Sequence, residues 1–245
     1  MIADEIMVEV NVQDGVARVF LNRPEKANAL HSALLEELRF RIESCSKDNS
    51  VRVMVLAGRG KTFCGGADVT ELSGLTASNA GEFVEKIHRC CQAIRELPVP
   101  VVAQLHGAVI GAGLEIAAAC DLRVAAAGTK FAMPEVRLGI PSVVEAALLP
   151  RLVGAGRAAW LVLTGEAIDA ERALQWGLIE EISEGENLVT ALLAADREAL
   201  RLQKQLLQLW SEAPLATSVT ASLAAFGRAF AGGNTIPSRL ERKKH

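Results

Sequence analysis

Residues 99–128 read VPVVAQLHGAVIGAGLEIAAACDLRVAAAG, apolar almost throughout, with Glu115 set just behind the small-residue turn Gly111-Ala112-Gly113. The β-branched run 99–105 predicts a buried strand, 113–120 a helix and 122–126 a second strand, which together make one strand–turn–helix–strand crossover. Gly111 and Gly113 let the main chain turn sharply and lie against a ligand, while the helix behind them points unpaired N–H groups back at the turn. Desolvating an unpaired carboxylate costs roughly several kcal/mol, so Glu115 must lose its charge or find partners. Two readings stand side by side. One is a shifted carboxylate beside an anion-stabilising turn; the other is a buried helix whose Glu115 pairs with Arg123.

The same switching of apolar period extends to both sides of this stretch. Residues 6–12 and 15–21 alternate about Asp14-Gly15 and predict a hairpin. Residues 31–45 carry leucines and Ile42 at helical spacing, with Ser32 as the cap; 51–57 form a short buried strand and 79–97 an amphipathic helix. Residues 130–132 predict a short strand before Pro134, and 142–176 a helical region split at Gly154-Ala155-Gly156 and at Thr164-Gly165. From about Leu188 the chain reads as helix throughout. Strands alternating with helices over the first two thirds predict an α/β fold with parallel pairing.

Composition bounds the function. The chain has 245 residues, 50% hydrophobic and 22% charged, with net charge −3 and pI near 5.9, enough for one large core and a small appendage. No electrostatic footprint for nucleic acid is present, and the basic cluster Arg239 to Lys244 reads as a solvated tail. Gln104, His106, Glu115, Asp121 and Arg123 break the apolar stretch into pieces shorter than the roughly 20 residues of a membrane span. The start, MIADEIMVEV, is acidic and strand-like rather than a signal peptide, so a cytoplasmic protein without membrane association is expected. Five cysteines without a CxxC pair, and histidines far apart at 31, 88, 106 and 245, predict neither a disulfide frame nor a metal site. Cys64, next to a glycine turn, is either a reactive thiol or a packed core cysteine.

Three loops collect the residues with chemical potential. Phe63-Cys64-Gly65-Gly66-Ala67-Asp68 is a strand-to-helix turn able to aim an N–H at a substrate oxygen. Gly111-Ala112-Gly113 offers the same geometry. In Ala132-Met133-Pro134-Glu135-Val136-Arg137-Leu138-Gly139-Ile140-Pro141, Glu135 sits on a connector stiffened by two prolines, where it is either a surface glutamate paired to Arg137 or a second reactive carboxylate. Glu115 and Glu135 lie twenty residues apart.

Together these motifs resemble the crotonase superfamily, the enoyl-CoA hydratases and isomerases. The resemblance runs in order through Asn22-Arg23-Pro24-Glu25-Lys26-Ala27-Asn28-Ala29-Leu30, Phe63 to Asp68, His106-Gly107 through Glu115 to Cys120-Asp121, Phe131 to Gly139, and Leu163-Thr164-Gly165-Glu166 with Ala173 and Gly177-Leu178. It implies a crotonase-like spiral of ββα units over residues 1–185 and a helical C-terminal oligomerisation region over 186–245, which assembles homotrimers or dimers of trimers. Coenzyme A would enter as part of an acyl-CoA thioester substrate, with no separate cofactor and no metal. Its nucleotide end would lie against Lys26, Ala27, Ala29, Ala67 and Asp68. The thioester carbonyl would accept hydrogen bonds from the backbone N–H groups of Ala67 and Ala112, an oxyanion hole worth about 3 kcal/mol per donor.

By the same resemblance the reaction is hydration, with Glu115 deprotonating a water that attacks the β-carbon and a protonated Glu135 delivering the α-proton. Two carboxylates near one water cannot both ionise cheaply, so one titrates high. Single-base isomerases of the superfamily usually keep only the counterpart of Glu135. Isomerisation, decarboxylation, C–C cleavage and a noncatalytic binding scaffold are the alternatives. The chain departs from the common hydratase pattern in Ser142-Val143-Val144-Glu145-Ala146-Ala147, where many members have glycines. Glu145 there either approaches the acyl pocket or is a solvated helix charge. Thr70 replaces a lysine that in many members approaches the CoA phosphates. The acyl pocket walls are expected from the region 73–83 and the helix after Ser142.

Overall fold

The computed structural model describes residues 6–230. The basic cluster 239–244 and the first residues of the acidic N-terminal segment lie outside the described residues. In chain order the elements are β1 (Val8–Gln13), β2 (Val16–Leu21), α1 (Ser32–Lys47), β3 (Val53–Gly58), α2 (Val69–Ser73), α3 (Ala80–Glu96), β4 (Val101–Leu105), β5 (Ala108–Ile110), α4 (Ala112–Ala119), β6 (Leu122–Ala125) and β7 (Lys130–Ala132). They continue with α5 (Leu149–Val153), α6 (Ala155–Thr164), β8 (Ile168–Asp169), α7 (Ala170–Trp176), β9 (Glu181–Ile182), α8 (Glu186–Ala194), α9 (Arg197–Glu212) and α10 (Leu215–Phe230).

The hairpin forms as expected. Asp14 and Gly15 both take positive φ, 51° and 81°, the turn geometry whose twist matches that of the paired strands. That register sets Val8 opposite Leu21 and buries both. From β2 onward the large sheet is parallel, in the order β1-β2-β3-β4-β6-β9. All of β3 is buried, which is why it reads as a continuous apolar run rather than an alternating one.

A smaller sheet, β5-β7-β8, pairs β5 parallel to β7 and β7 antiparallel to β8. Cys64 joins it through a parallel bridge to Val109. β5, β8 and β9 are only two or three residues long, too short to impose a period on the sequence. Helix α1 is capped not by Ser32 but by His31, whose Nδ1 accepts from the Leu34 N–H at 3.3 Å. Ser32 instead donates its backbone N–H and its hydroxyl to the Glu71 carboxylate. The region 142–176 is less regular than its apolar period predicts. It opens with a 3-10 turn at Val144–Leu148, breaks at Gly154, where φ is 84°, and passes through β8 before α7.

The described residues divide into two compact units at the boundary between Leu193 and Ala194. The first extends past residue 185 because Leu188, Val189, Leu192 and Leu193 of α8 pack on Val16, Val53, Val55, Val102 and Val124. In the second, α9 and α10 are joined by a hydrogen bond from Trp210 Nε1 to Ser222 Oγ at 3.1 Å. Along α10, Leu215, Val219, Leu223 and Phe226 form an exposed apolar stripe. No helix among the described residues is long and apolar enough to cross a membrane.

Candidate active site

Three chain segments run side by side in the same direction through Cys64, Val109 and Phe131, paired Cys64↔Val109 and Val109↔Phe131. Past that row each turns outward at the same end, where open α/β sheets place their ligands. Ala67 and Ala112 each come three residues beyond it, and Glu135 four.

The register leaves both amides free to serve a ligand. Leu30 donates to Gly66 O at 2.8 Å and accepts from the Asp68 N–H at 2.8 Å, so in this parallel bridge the N–H of Ala67, between them, points the other way. Ala112 opens α4 at its first helical position, where a backbone N–H has no intrahelical acceptor. Gly111 makes the turn with φ of 52° and ψ of −122°, a conformation only glycine adopts readily. It is anchored by its own N–H on Ala132 O at 2.9 Å.

Glu135 lies over that turn. A Cβ on Gly111 would stand 2.3 Å from Glu135 Oε1, so the absence of a side chain at 111 is what admits the carboxyl. Ser142 Oγ donates to Glu135 Oε2 at 2.9 Å. Arg137, the alternative partner, pairs instead with Glu166.

Glu115, in the first turn of α4, is 4% exposed and accepts at Oε1 from the Ala146 N–H at 3.2 Å. The alternative pairing with Arg123 does not form. Arg123 is buried, but it binds Glu180 Oε1 at 2.7 Å, Leu178 O at 2.8 Å and Cys120 O at 2.7 Å. Without a cation, burial pushes the Glu115 carboxyl up to about 8, assisted by the negative charge of Glu135 and opposed by the Ala146 backbone hydrogen bond. The Glu115 carboxyl thus titrates high.

Around the rim, Lys26 and Ala27 are exposed and Ala29 is half-buried. Asp68 is buried, its carboxylate shared between Arg23 and the N–H groups of Thr70 and Glu71. Arg23 beside it holds its carboxyl below the usual range. The Asp68 carboxylate therefore ties the 23–30 segment to the Gly66-Ala67 turn. Asn28, within the Lys26-Ala27-Asn28-Ala29 segment of the 22–30 motif, completes that tie: fully buried at a φ of 54°, it accepts from the Arg23 N–H at 2.8 Å and donates toward Thr62 O at 2.7 Å.

Cys64 is no nucleophile. Fully buried, its thiol is pushed up to about 12, and a Cβ on Gly113 would meet its Sγ at 2.8 Å, so it packs beneath the first turn of α4. Glu145 is not a solvated helix charge either, being 4% exposed. Among the described residues no cluster of His, Cys, Asp or Glu is arranged to hold a metal.

A model of the enoyl-CoA hydratase/isomerase family matches residues 11–218. The crotonyl-CoA hydratase of Syntrophomonas wolfei is 32% identical over 228 residues, covering 89% of this chain and 88% of that protein. The trans-2-decenoyl-(acyl-carrier-protein) isomerase of Streptococcus mutans is 35% identical over 199 residues, covering 79% of this chain and 74% of that protein. The crystal structure of an enoyl-CoA hydratase from Bacillus anthracis superposes with a TM-score of 0.86 at 31% identity, over 90% of each chain.

Proposed function

The chain belongs to the enoyl-CoA hydratase/isomerase family, and we propose that within it this protein adds water across the 2,3 double bond of an enoyl-CoA thioester. The observation that carries this reading is the shared direction of the three paired segments, which sends two free amides and Glu135 out beside the first turn of α4. The thioester oxygen accepts from the N–H groups of Ala67 and Ala112, so the charge that grows there as an enolate forms meets dipoles already aimed. Glu115 takes a proton from water, the hydroxyl bonds to the β-carbon, the double-bond electrons move toward the thioester, and the α-carbon takes a proton from Glu135. The pair begins and ends with one proton between them: it rests on Glu115, whose carboxyl titrates near 8, passes through a bridging water to Glu135 before the attack, and is restored to Glu115 by the proton taken from the attacking water.

The CoA nucleotide lies along Lys26, Ala27, Ala29 and the Ala67-Asp68 turn, and CoA is needed only as part of the substrate. The apolar stripe on α10 is of the kind that subunit contacts cover, in keeping with a trimer or a dimer of trimers, and we place the protein in the cytoplasm.

A pair that must hold one proton loses activity when the second carboxyl ionises. With Glu115 near 8, kcat/KM for crotonyl-CoA, followed by loss of enoyl-thioester absorbance between about pH 6 and 10, is expected to fall as pH rises through about 8. The 35% identity to an isomerase favours one second reading, in which Glu135 alone moves a proton between C2 and C4 of a 3-enoyl thioester. No turnover of crotonyl-CoA together with conversion of 3-enoyl-CoA would overturn hydration in its favour.

A further inference from the structure

Where the 3-10 turn Val144–Leu148 meets α3 and α4, a third carboxylate is buried beside the pair. Glu145 is 4% exposed, and its Oε1 lies 2.9 Å from Nδ1 of His88, an α3 residue whose side chain is 41% exposed. Its Oε2 is buried with no hydrogen-bond partner. The residue before it, Val144, takes a φ of +39°, in the left-handed region that a β-branched side chain strongly disfavours. An ordinary helix with Glu145 in water would relieve the strained backbone and satisfy the orphaned oxygen. The fold keeps both unfavourable features, and they fall at consecutive residues, Val144 and Glu145, adjacent to the site.

We propose that Glu145, anchored by His88, is a positioning residue that governs the protonation of Glu115. The turn that carries the Glu145 carboxylate also carries the Ala146 N–H that holds Glu115 Oε1 at 3.2 Å, so one short segment supplies both a repelling charge and a compensating donor. The groups facing Glu115 are Glu135 from the 3-10 turn Glu135–Leu138, Glu145, Cys91 of α3, and the Ala146 and Val143 backbone. Those facing Glu145 are His88 and the fully buried Cys91 from α3, and Glu115 from α4. Nothing between them is a fixed cation. The His88 ring, half in solvent, is therefore the contact among the described residues through which the surrounding medium reaches Glu145, and through it Glu115.

This inference rests on Glu115 being the reacting base, and the test separates the two claims. Glu145→Gln removes the like charge. His88→Arg, a helix-surface replacement that preserves the fold if the buried variant does not, sets a permanent cation against it. Each is expected to shift the alkaline fall of kcat/KM to lower pH by about one unit, the size of one neighbouring charge at an effective dielectric near 20. A residue that merely packs would reduce the rate at every pH without moving that fall. Carbon-13 titration of the Glu115 carboxyl in the free protein reads the same displacement without turnover, so an inactive protein whose Glu115 still moves would sink the hydratase reading and retain this one. If neither variant moves the titration, the proposal is overturned.

Discussion

Glu115→Gln is expected to lower kcat for crotonyl-CoA by 10²- to 10⁴-fold, the usual worth of one positioned general base, while making the folded protein more stable at neutral pH. The two effects have one origin. The Glu115 carboxyl is buried without a cation and titrates near 8, so between about pH 4.5 and 8 the native state holds a proton that the unfolded chain has released. Its stability is full below the unfolded value and drains as pH rises toward the folded one. Glutamine is neutral at every pH and accepts from the Ala146 N–H equally well, so the variant should gain on the order of 3 kcal/mol at pH 7 to 8 and almost nothing near pH 4. Thermal unfolding of both proteins at the two pH values measures this difference. Equal gains at both would refute the burial account; an unchanged kcat would refute the catalytic one. Glu135→Gln should cost activity to a similar degree, because glutamine still accepts from the Ser142 hydroxyl but has no proton to deliver.

The long elements and the two glycine-rich loops of the candidate site were legible in the sequence because their signals are local. The period of the apolar residues marks β3, α1 and α3, and glycine marks the turns at Gly66 and Gly111, where positive φ values of 97° and 52° are required. What brings the loops together is pairing in β5, a strand of three residues that no period reveals. The partners of the carboxylates were not legible either. Arg123 stands eight residues from Glu115 in sequence, yet it is claimed by Glu180, fifty-seven residues from Arg123. His88 reaches Glu145 across the same sequence separation. That the Glu115 carboxyl titrates high depends on desolvation, which only the packed structure fixes: Glu115 lies in the first turn of α4, buried where the 3-10 turn Val144–Leu148 packs against that helix. The Ser142 to Ala147 segment is the reverse case, since its lack of glycines signalled a departure without indicating that a strained valine would turn a glutamate inward.

Ala112→Pro is expected to cost 10² to 10³ in kcat, the loss of one oxyanion donor, with the helix intact. Most backbone N–H groups cannot be deleted this way, because proline inside a helix or strand also breaks a hydrogen bond that holds the fold. Ala112 is the first helical residue of α4, the position at which proline is best tolerated and the N–H has no helical acceptor to lose. The substitution therefore separates the ligand's donor from the fold's donors. Ala112→Ser retains the N–H and should stay within a few-fold of the parent rate, which distinguishes loss of the amide from crowding by a larger side chain. Circular dichroism with an unchanged helical signal, alongside the two rates, makes the comparison decisive. If the proline variant folds and hydrates at the parent rate, the thioester oxygen does not lie at Ala112, and the turn that Gly111 makes at a φ of 52° serves only to admit the Glu135 carboxyl.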